Sequence, residues 1–221
     1  ASNPRTIPVE KALDDVMVVW AQNGEALRPE QGYPVRLVVP GWEGNLNTKW
    51  LNRLEFSDKP WHAKEETSKY TMLQKSGKAI RYFWVNEVNS VITSPCPEKP
   101  WTHLKKGEMV EIEGLAWSGH GTIKGVDISF DGGDNWVEAR LKGLVLPKSW
   151  TRFSYVIKWE GKPLLLASRS YDDFGNIQPT IDQETSAIGV ESVYHRNAIV
   201  TWEITSKGEC NNVQIRKHKK A

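Results

Sequence analysis

The chain has 221 residues, enough for one large domain or two modest ones, each with its own core. Its net charge of +2 gathers at one end: Arg216, Lys217, Lys219 and Lys220 fall in the last six residues, leaving 25 basic groups against 27 acidic ones in the body. That balance argues against a nucleic-acid footprint, no apolar run approaches membrane-spanning length, and two cysteines with scattered histidines make neither a disulfide framework nor a tetrahedral zinc site.

The chain opens Ala1-Ser2-Asn3-Pro4, with neither an initiator Met nor a signal peptide. The expectation is a removed leader or the C-terminal part of something longer. Ile7 to Leu13 predicts a short helix, with Pro8 in the first turn and Val9, Ala12 and Leu13 on one face. The apolar run Val16 to Ala21 predicts a buried strand ended by the Asn23-Gly24 turn. Val35 to Val39 predicts a second buried strand, apolar except for Arg36 and bounded by Pro34 and Pro40, which cannot donate within a ladder. A guanidinium inside such a strand requires an anion or a fixed acceptor. The Gly41–Asn47 loop then leads to Thr48 and Lys49, so one arginine, one lysine, a hydroxyl and loop amides converge as a cradle for a phosphate-bearing ligand. Trp50 to Phe56 predicts a further strand, residues 57–80 a long exposed loop carrying Tyr70, and Arg81 to Val85 the close of this region.

From about Val91 the pattern changes to short alternating strands: Met109–Trp117, Gly125–Phe130, Trp136–Leu141, Phe153–Trp159, Leu164–Ser170 and Ala198–Ile204. Turn signals such as Asp131-Gly132-Gly133 separate them, and together they predict an antiparallel β-sandwich of immunoglobulin-like type without an inter-sheet disulfide. The domain boundary is expected near residues 90–97. Ser129-x-Asp131-x-Gly133-x-x-Trp136 resembles an Asp-box hairpin, with a calcium site built on Asp131 and Asp134 as the competing reading; Asp172 to Asn176 reads as another polar turn. Eleven tryptophans invite a carbohydrate-binding reading, but strand alternation puts Trp117, Trp159 and Trp202 in the core and Trp136 on the hairpin, leaving Trp42, Trp61 and Trp101 open. Cys96, between prolines in Ser94-Pro95-Cys96-Pro97, reads as a structural or surface thiol. The basic end reads as a solvated terminus.

The order of these signals resembles the sulfite oxidase family of molybdopterin enzymes over essentially the whole chain. Ile7-Pro8-x-x-Lys11-Ala12, Gly32-Tyr33-Pro34-Val35-Arg36-Leu37-Val38-Val39-Pro40-Gly41 and Lys49-Trp50-Leu51 carry it first. Ala116-Trp117-Ser118-Gly119, Asp127 to Gly133, Asp172-Asp173 and Gln178-Pro179 follow in register. Thr93 to Pro100 and Ser192-Val193-Tyr194-His195 look most like the sulfane dehydrogenase branch, the molybdenum subunits of bacterial thiosulfate oxidation.

The resemblance implies a mainly β chain: residues 1–90 as the last part of an α+β molybdopterin domain, 91–206 as an immunoglobulin-like dimerisation domain, and 207–221 as a basic tail. It implies a molybdenum-molybdopterin cofactor whose phosphate and pterin are held by Arg36 and Lys49, with loop contacts from Asn47 and Thr48. Gln31 falls where sulfite oxidases place a pterin-binding histidine, and Tyr70, 34 residues beyond Arg36, matches the active-site tyrosine beside the metal. For Tyr70 a packing role for the ring stands beside the catalytic one. The family's metal-ligating cysteine would lie upstream of Arg36, where this sequence has no cysteine, and the segment from Gln178 to His195 has no Arg or Lys to match the substrate-anion arginine of sulfite oxidases. The implied activity is therefore oxidation of a sulfane sulfur, presented as a persulfide on a sulfur-carrier protein, with electrons leaving one at a time to a c-type cytochrome subunit. The implied setting is a periplasmic homodimer joined through the sandwich. Sulfite dehydrogenase is the alternative within the family, and a non-catalytic dimerising module the alternative outside it.

Overall fold

The computed structural model describes residues 4–74, 76–81, 83–190 and 195–216. Residues 192–194 of the Ser192–His195 motif, Tyr82 and the basic residues beyond Arg216 lie outside the described residues. The chain divides into two compact units between Asn86 and Glu87.

The first unit begins with α1 (Val9–Asp14), entered through Pro8, whose fixed φ suits a helix start. Strands β1 (Met17–Val19), β2 (Ala21–Gln22), β3 (Glu25–Ala26) and β4 (Arg36–Val38) follow. β2 and β3 form a small hairpin around Asn23-Gly24, where both residues take positive φ. β1 pairs antiparallel with β4, with Val18 opposite Leu37. Only one of these two strands is buried. Leu37 and Val39 join Leu46 in a small core flanked by Val16, Trp42 and Trp84, whereas Met17 and Val18 are exposed and Trp20 is 70% exposed. Of the expected buried strand at 16–21, Val16 packs on this core and Val19 is half-buried, whereas Met17, Val18 and Trp20 face solvent. Trp42 and Trp84 stack with ring centroids 5.0 Å apart.

Two further expectations are corrected in this unit. Trp50 to Phe56 has no strand pairing among the described residues, and Leu54 and Phe56 are exposed. Residues 57–80 are more than a loop: they contain α2 (Lys64–Ser68) and the strands β5 (Thr71–Leu73) and β6 (Ala79–Arg81), paired as a hairpin. Glu66 anchors the segment; it is buried and its carboxylate accepts the Thr6 N–H at 2.6 Å.

The second unit is a two-layer antiparallel sandwich. Its strands are β7 (Asn89–Ser94), β8 (Glu108–Trp117), β9 (Ile123–Ser129), β10 (Val137–Glu138), β11 (Arg140–Lys142), β12 (Thr151–Trp159), β13 (Leu164–Asp172), β14 (Thr201–Ile204) and β15 (Cys210–Val213). One sheet has the order β10-β9-β13-β14-β15 and the other β11-β12-β8-β7. Alternation explains the core: Ile112 and Ala116 of β8, Val126 and Ile128 of β9, Phe153 and Trp159 of β12 and Leu166 of β13 point inward and bury against Trp101 and Ile204. Gly114 is required opposite Phe153, since a Cβ there would lie 2.1 Å from the ring.

The expected strand Trp136–Leu141 is two strands in different sheets, with buried Ala139 at the crossing. The segment after residue 206, expected as tail, contains β15, paired with β14. Trp101 and Trp159 are core; Trp117 is only half-buried and packs on Trp150 at 4.8 Å. Trp61 is exposed. The Asp-box hairpin forms as a backbone device. Asp131 Oδ1 accepts from Ser129 Oγ and from the Asp134 and Asn135 N–H groups, and Oδ2 accepts from Asn135 Nδ2. The Asn135 backbone N–H, then its side chain and Ser129, hold the Asp131 carboxyl well below the ordinary carboxylate range. Trp136 closes the turn by donating to Gly133 O at 3.2 Å, and the Arg169 guanidinium lies 4.4 Å above its ring.

Two buried polar clusters join elements of the sandwich. Gln178 Oε1 accepts from Ser90 Oγ at 2.6 Å while its Nε2 donates to Asn89 Oδ1 at 2.9 Å, stitching β7 to the strap that follows β13. The helix α3 (Ile181–Ile188) starts with a capping box: Thr180 Oγ1 accepts the Gln183 N–H and Gln183 Oε1 accepts the Thr180 N–H. From α3, buried Glu184 accepts Arg196 Nη1 at 2.8 Å and the N–H groups of Asn197 and Ala198 at 2.8 and 3.1 Å.

Candidate functional site

The cradle expected in the first unit is built where β4 meets the turn after residue 43. Asn47 shapes it: its side-chain oxygen accepts the Val39 N–H at 2.8 Å and its amide donates to Glu43 O at 3.0 Å, so the side chain is committed to folding the loop. Thr48 extends the ladder, its carbonyl accepting the Leu37 N–H at 2.8 Å. These two bonds bring the 47–49 segment alongside β4.

Arg36 then reaches across. Nη1 donates to Gln31 O at 3.0 Å and Nη2 to Asn47 O at 3.1 Å, so one guanidinium bridges both walls. Its Nε is shielded from solvent and has no hydrogen-bond partner among the described residues. Lys49 Nζ donates to Glu30 O at 2.7 Å and is otherwise exposed, leaving further N–H bonds to offer. Gly32 closes the floor. Its φ is +110°, and a Cβ there would approach Lys49 Cβ to 3.0 Å and Arg36 Cβ to 3.2 Å. Gln31 contributes through its backbone, since its carbonyl takes Arg36 while the residue is exposed. Five of the expected residues, Gln31, Arg36, Asn47, Thr48 and Lys49, therefore meet in one place.

Tyr70 lies elsewhere in the unit. It follows α2 directly, its N–H donating to Glu65 O at 3.0 Å, and lines a shallow cleft with Arg5, Asn45, Leu46, Glu66, Phe83 and Trp84. The Arg5 guanidinium lies 5.1 Å from the centre of its ring. The turn at 44–46 touches both places: Asn45 and Leu46 wall the cleft, and Asn47 to Lys49 form the cradle. Sequence reading missed Arg5 and Glu66, which no motif marked.

Comparisons with known proteins match two family models to successive parts of the chain. Residues 2–65 match the oxidoreductase molybdopterin binding domain, and residues 81–202 match the Mo-co oxidoreductase dimerisation domain. The chain belongs to the Mo-co oxidoreductase family. The solved structure of the sulfane dehydrogenase SoxCD from Paracoccus pantotrophus superposes with a TM-score of 0.94 and 51% identity, covering 97% of this chain and 55% of that one. Among curated relatives, spinach nitrate reductase is 33% identical over 77% of this chain and 21% of its own length. Rat mitochondrial sulfite oxidase is 32% identical over 79% of this chain and 34% of its own length. The chain thus spans about a fifth to a third of the curated family members it matches.

The cofactor of this family is molybdenum bound to molybdopterin, and the residues of the cradle fit an anionic, pterin-bearing group. The uncommitted N–H bonds of Arg36 and Lys49, the shielded Arg36 Nε and the side-chain-free floor at Gly32 all favour close approach of an anion to the backbone.

Proposed function

We propose that this chain is the C-terminal portion of a molybdenum-cofactor oxidoreductase that oxidises sulfane sulfur held as a persulfide on a carrier protein. Electrons pass to a c-type cytochrome subunit, and the enzyme works in the periplasm as a homodimer joined through its sandwich. The observation that carries the reading is the 51% identity to sulfane dehydrogenase across 97% of the chain.

When bound, the cofactor supplies two-electron redox chemistry at the metal. This chain's part is to hold and orient it. Arg36 and Lys49 offer charge-assisted hydrogen bonds to the phosphate and pterin, and Asn47 and Thr48 hold the loop that presents Lys49. Tyr70 serves as a hydrogen-bonding or proton-relay group, its half-buried ring set by Arg5.

The segment that would supply a substrate-anion arginine supports sulfane over sulfite. Gln178 to His195 has no Arg or Lys, and the next residue, Arg196, donates to Glu184 and, through Nη2, to Val190 O at 2.7 Å. A small dianion would forgo a contact of about 1.5–3 kcal/mol there. Molybdenum analysis of the full-length protein beside its intact mass tests the cofactor assignment. Steady-state assays with sulfite and with a persulfidated carrier protein test the substrate, and a clear preference for sulfite would overturn it.

A further inference from the structure

The cleft beside Tyr70 takes one wall from the start of the chain. Thr6 lies along the segment that leads into α2 and is tied to it at two points. Its hydroxyl donates to Trp61 O at 3.1 Å and accepts the Trp61 N–H at 3.2 Å. Its own N–H donates to Glu66 Oε1 at 2.6 Å, and Glu66 Oε2 lies 3.4 Å from the same hydroxyl. Glu66 is 4% exposed, and a carboxylate buried to that degree is costly without donors. Among the described residues, the hydrogen bonds to that carboxylate all come from Thr6, 60 residues away in sequence.

This clamp sets two side chains at once. On one side is Arg5, next to Thr6 in the chain, whose guanidinium lies 5.1 Å from the centre of the Tyr70 ring. On the other is Tyr70 itself, four residues beyond Glu66, where the Lys69 and Tyr70 N–H groups both donate to Glu65 O at 3.0 Å and close α2. A cation over an aromatic ring is a weak tether when both partners move freely. A short hydrogen bond from a backbone amide to a carboxylate is a firm one. Glu66 therefore joins the two segments that carry the arginine and the ring, and keeps them in register.

We propose, on the proton-relay reading of Tyr70, that Glu66 is a positioning residue: through Thr6 it seats Arg5 against Tyr70 and holds the ring in one place. Glu66 touches neither substrate nor cofactor in this role. It removes freedom from the arginine and the ring, so the Tyr70 hydroxyl is already placed when substrate arrives. A clamp that served folding alone would change stability and metal retention while leaving turnover per bound metal as it was.

The test compares full-length holoenzyme variants, assayed with whichever sulfur donor the wild type turns over, persulfidated carrier or sulfite, and with rates counted per bound molybdenum. Glu66→Ala and Arg5→Ala should each lower kcat about tenfold and leave KM within about twofold, as expected for lost orientation rather than lost binding. The double variant should be no slower than the worse single one, because both changes remove the same contact. Glu66→Gln keeps an acceptor for the Thr6 N–H and should hold kcat within about threefold of wild type. Independently of turnover, hydrogen exchange read by mass spectrometry should be faster at the Thr6 amide in Glu66→Ala and unchanged there in Arg5→Ala. Arg5→Ala leaves the Thr6–Glu66 bonds in place, so it decides the matter even where Glu66→Ala does not fold. Additive losses in the double variant, a wild-type kcat for either single variant beside a slow Tyr70→Phe, or unchanged exchange at Thr6 in Glu66→Ala would each overturn the proposal. A wild-type kcat for Tyr70→Phe would overturn it from the other side, by removing the relay itself.

Discussion

Removal of the Glu184 carboxylate should be among the costliest single changes in the second unit. The residue is 3% exposed and receives three hydrogen bonds, from Arg196 Nη1, Asn197 N and Ala198 N. The Arg196 side chain is about a third exposed and keeps its bond to Val190 O, so without Glu184 it remains solvated, and solvent screening limits that ion pair to about 1 kcal/mol. The two amides cannot turn away, since they belong to the backbone leading into β14. Each loses a bond to a charged acceptor worth about 1.5 kcal/mol. Glu184→Ala should therefore cost roughly 4 kcal/mol, within the range for breaking a buried ionic cluster. Glu184→Gln keeps an acceptor for both amides and should cost only about 1–1.5 kcal/mol. Urea unfolding followed by tryptophan fluorescence measures both, with core Trp101 and Trp159 as reporters. Arg196→Ala completes the double-mutant cycle, with an expected coupling near 1 kcal/mol. A loss below 1 kcal/mol for Glu184→Ala, or equal losses for the Ala and Gln variants, would refute the assignment of the stability to the backbone amides.

Gly32→Ala should destabilise the first unit by about 1–2 kcal/mol, through the strained φ and the close approach to Lys49, and should lower molybdenum content per full-length protein as measured by mass spectrometry. Arg36→Lys keeps the charge but cannot bridge Gln31 O and Asn47 O; metal content should fall although the chain still folds, as circular dichroism would show. Gly114→Ala drives a methyl into Phe153 and should cost about 1–3 kcal/mol in thermal unfolding. For Asp172, burial raises the carboxyl, but Asn176, Ser118 and the N–H groups of Asn176 and Phe174 outweigh it and hold it below its ordinary value. A depressed folded-state pKa stabilises above the unfolded value near ~4 and is lost as pH falls through the folded one, so the advantage of wild type over Asp172→Asn should be full at pH 6 and shrink below about pH 4.

The sandwich was legible because its strands alternate: Val126, Ile128 and Phe130 or Phe153, Tyr155, Ile157 and Trp159 state their inward face residue by residue. The break at Ala139 was not, since a strand changing sheets keeps its alternation and hides the crossing. The first unit misled in a consistent way. Val16 to Ala21 is as apolar as a core strand, and Trp50 to Phe56 carries four large apolar residues. Yet only Val16 and Leu51 pack on the core while Met17, Val18, Trp20, Trp50, Leu54 and Phe56 are exposed, because burial depends on what packs above a strand and composition reports only the strand itself. The cradle was visible through Arg36, Thr48 and Lys49, whose chemistry is unusual for their context; Gly32, its floor, was not marked as part of it. Asn47 was placed there as a ligand contact, whereas its side chain bonds the Val39 N–H and the Glu43 carbonyl. The start of helix α3 is written in the sequence as the capping box of Thr180 and Gln183. Glu184 had no such signal: a glutamate in the first turn of a helix looks like any solvated one until its partners, 12 to 14 residues on, are known.

The last strand also decides where this protein can be trimmed. The family match ends at residue 202, inside β14, whose ladder continues to Ile204 and is paired in turn with Cys210 to Val213. An expression boundary drawn at residue 202 would cut a paired strand, strip the partner from the Trp101 N–H and open the Trp101 side of the core to water. Recombinant versions intended for crystallisation or binding studies need to run to at least Val213, and shorter ones should come out insoluble for reasons unrelated to the cofactor.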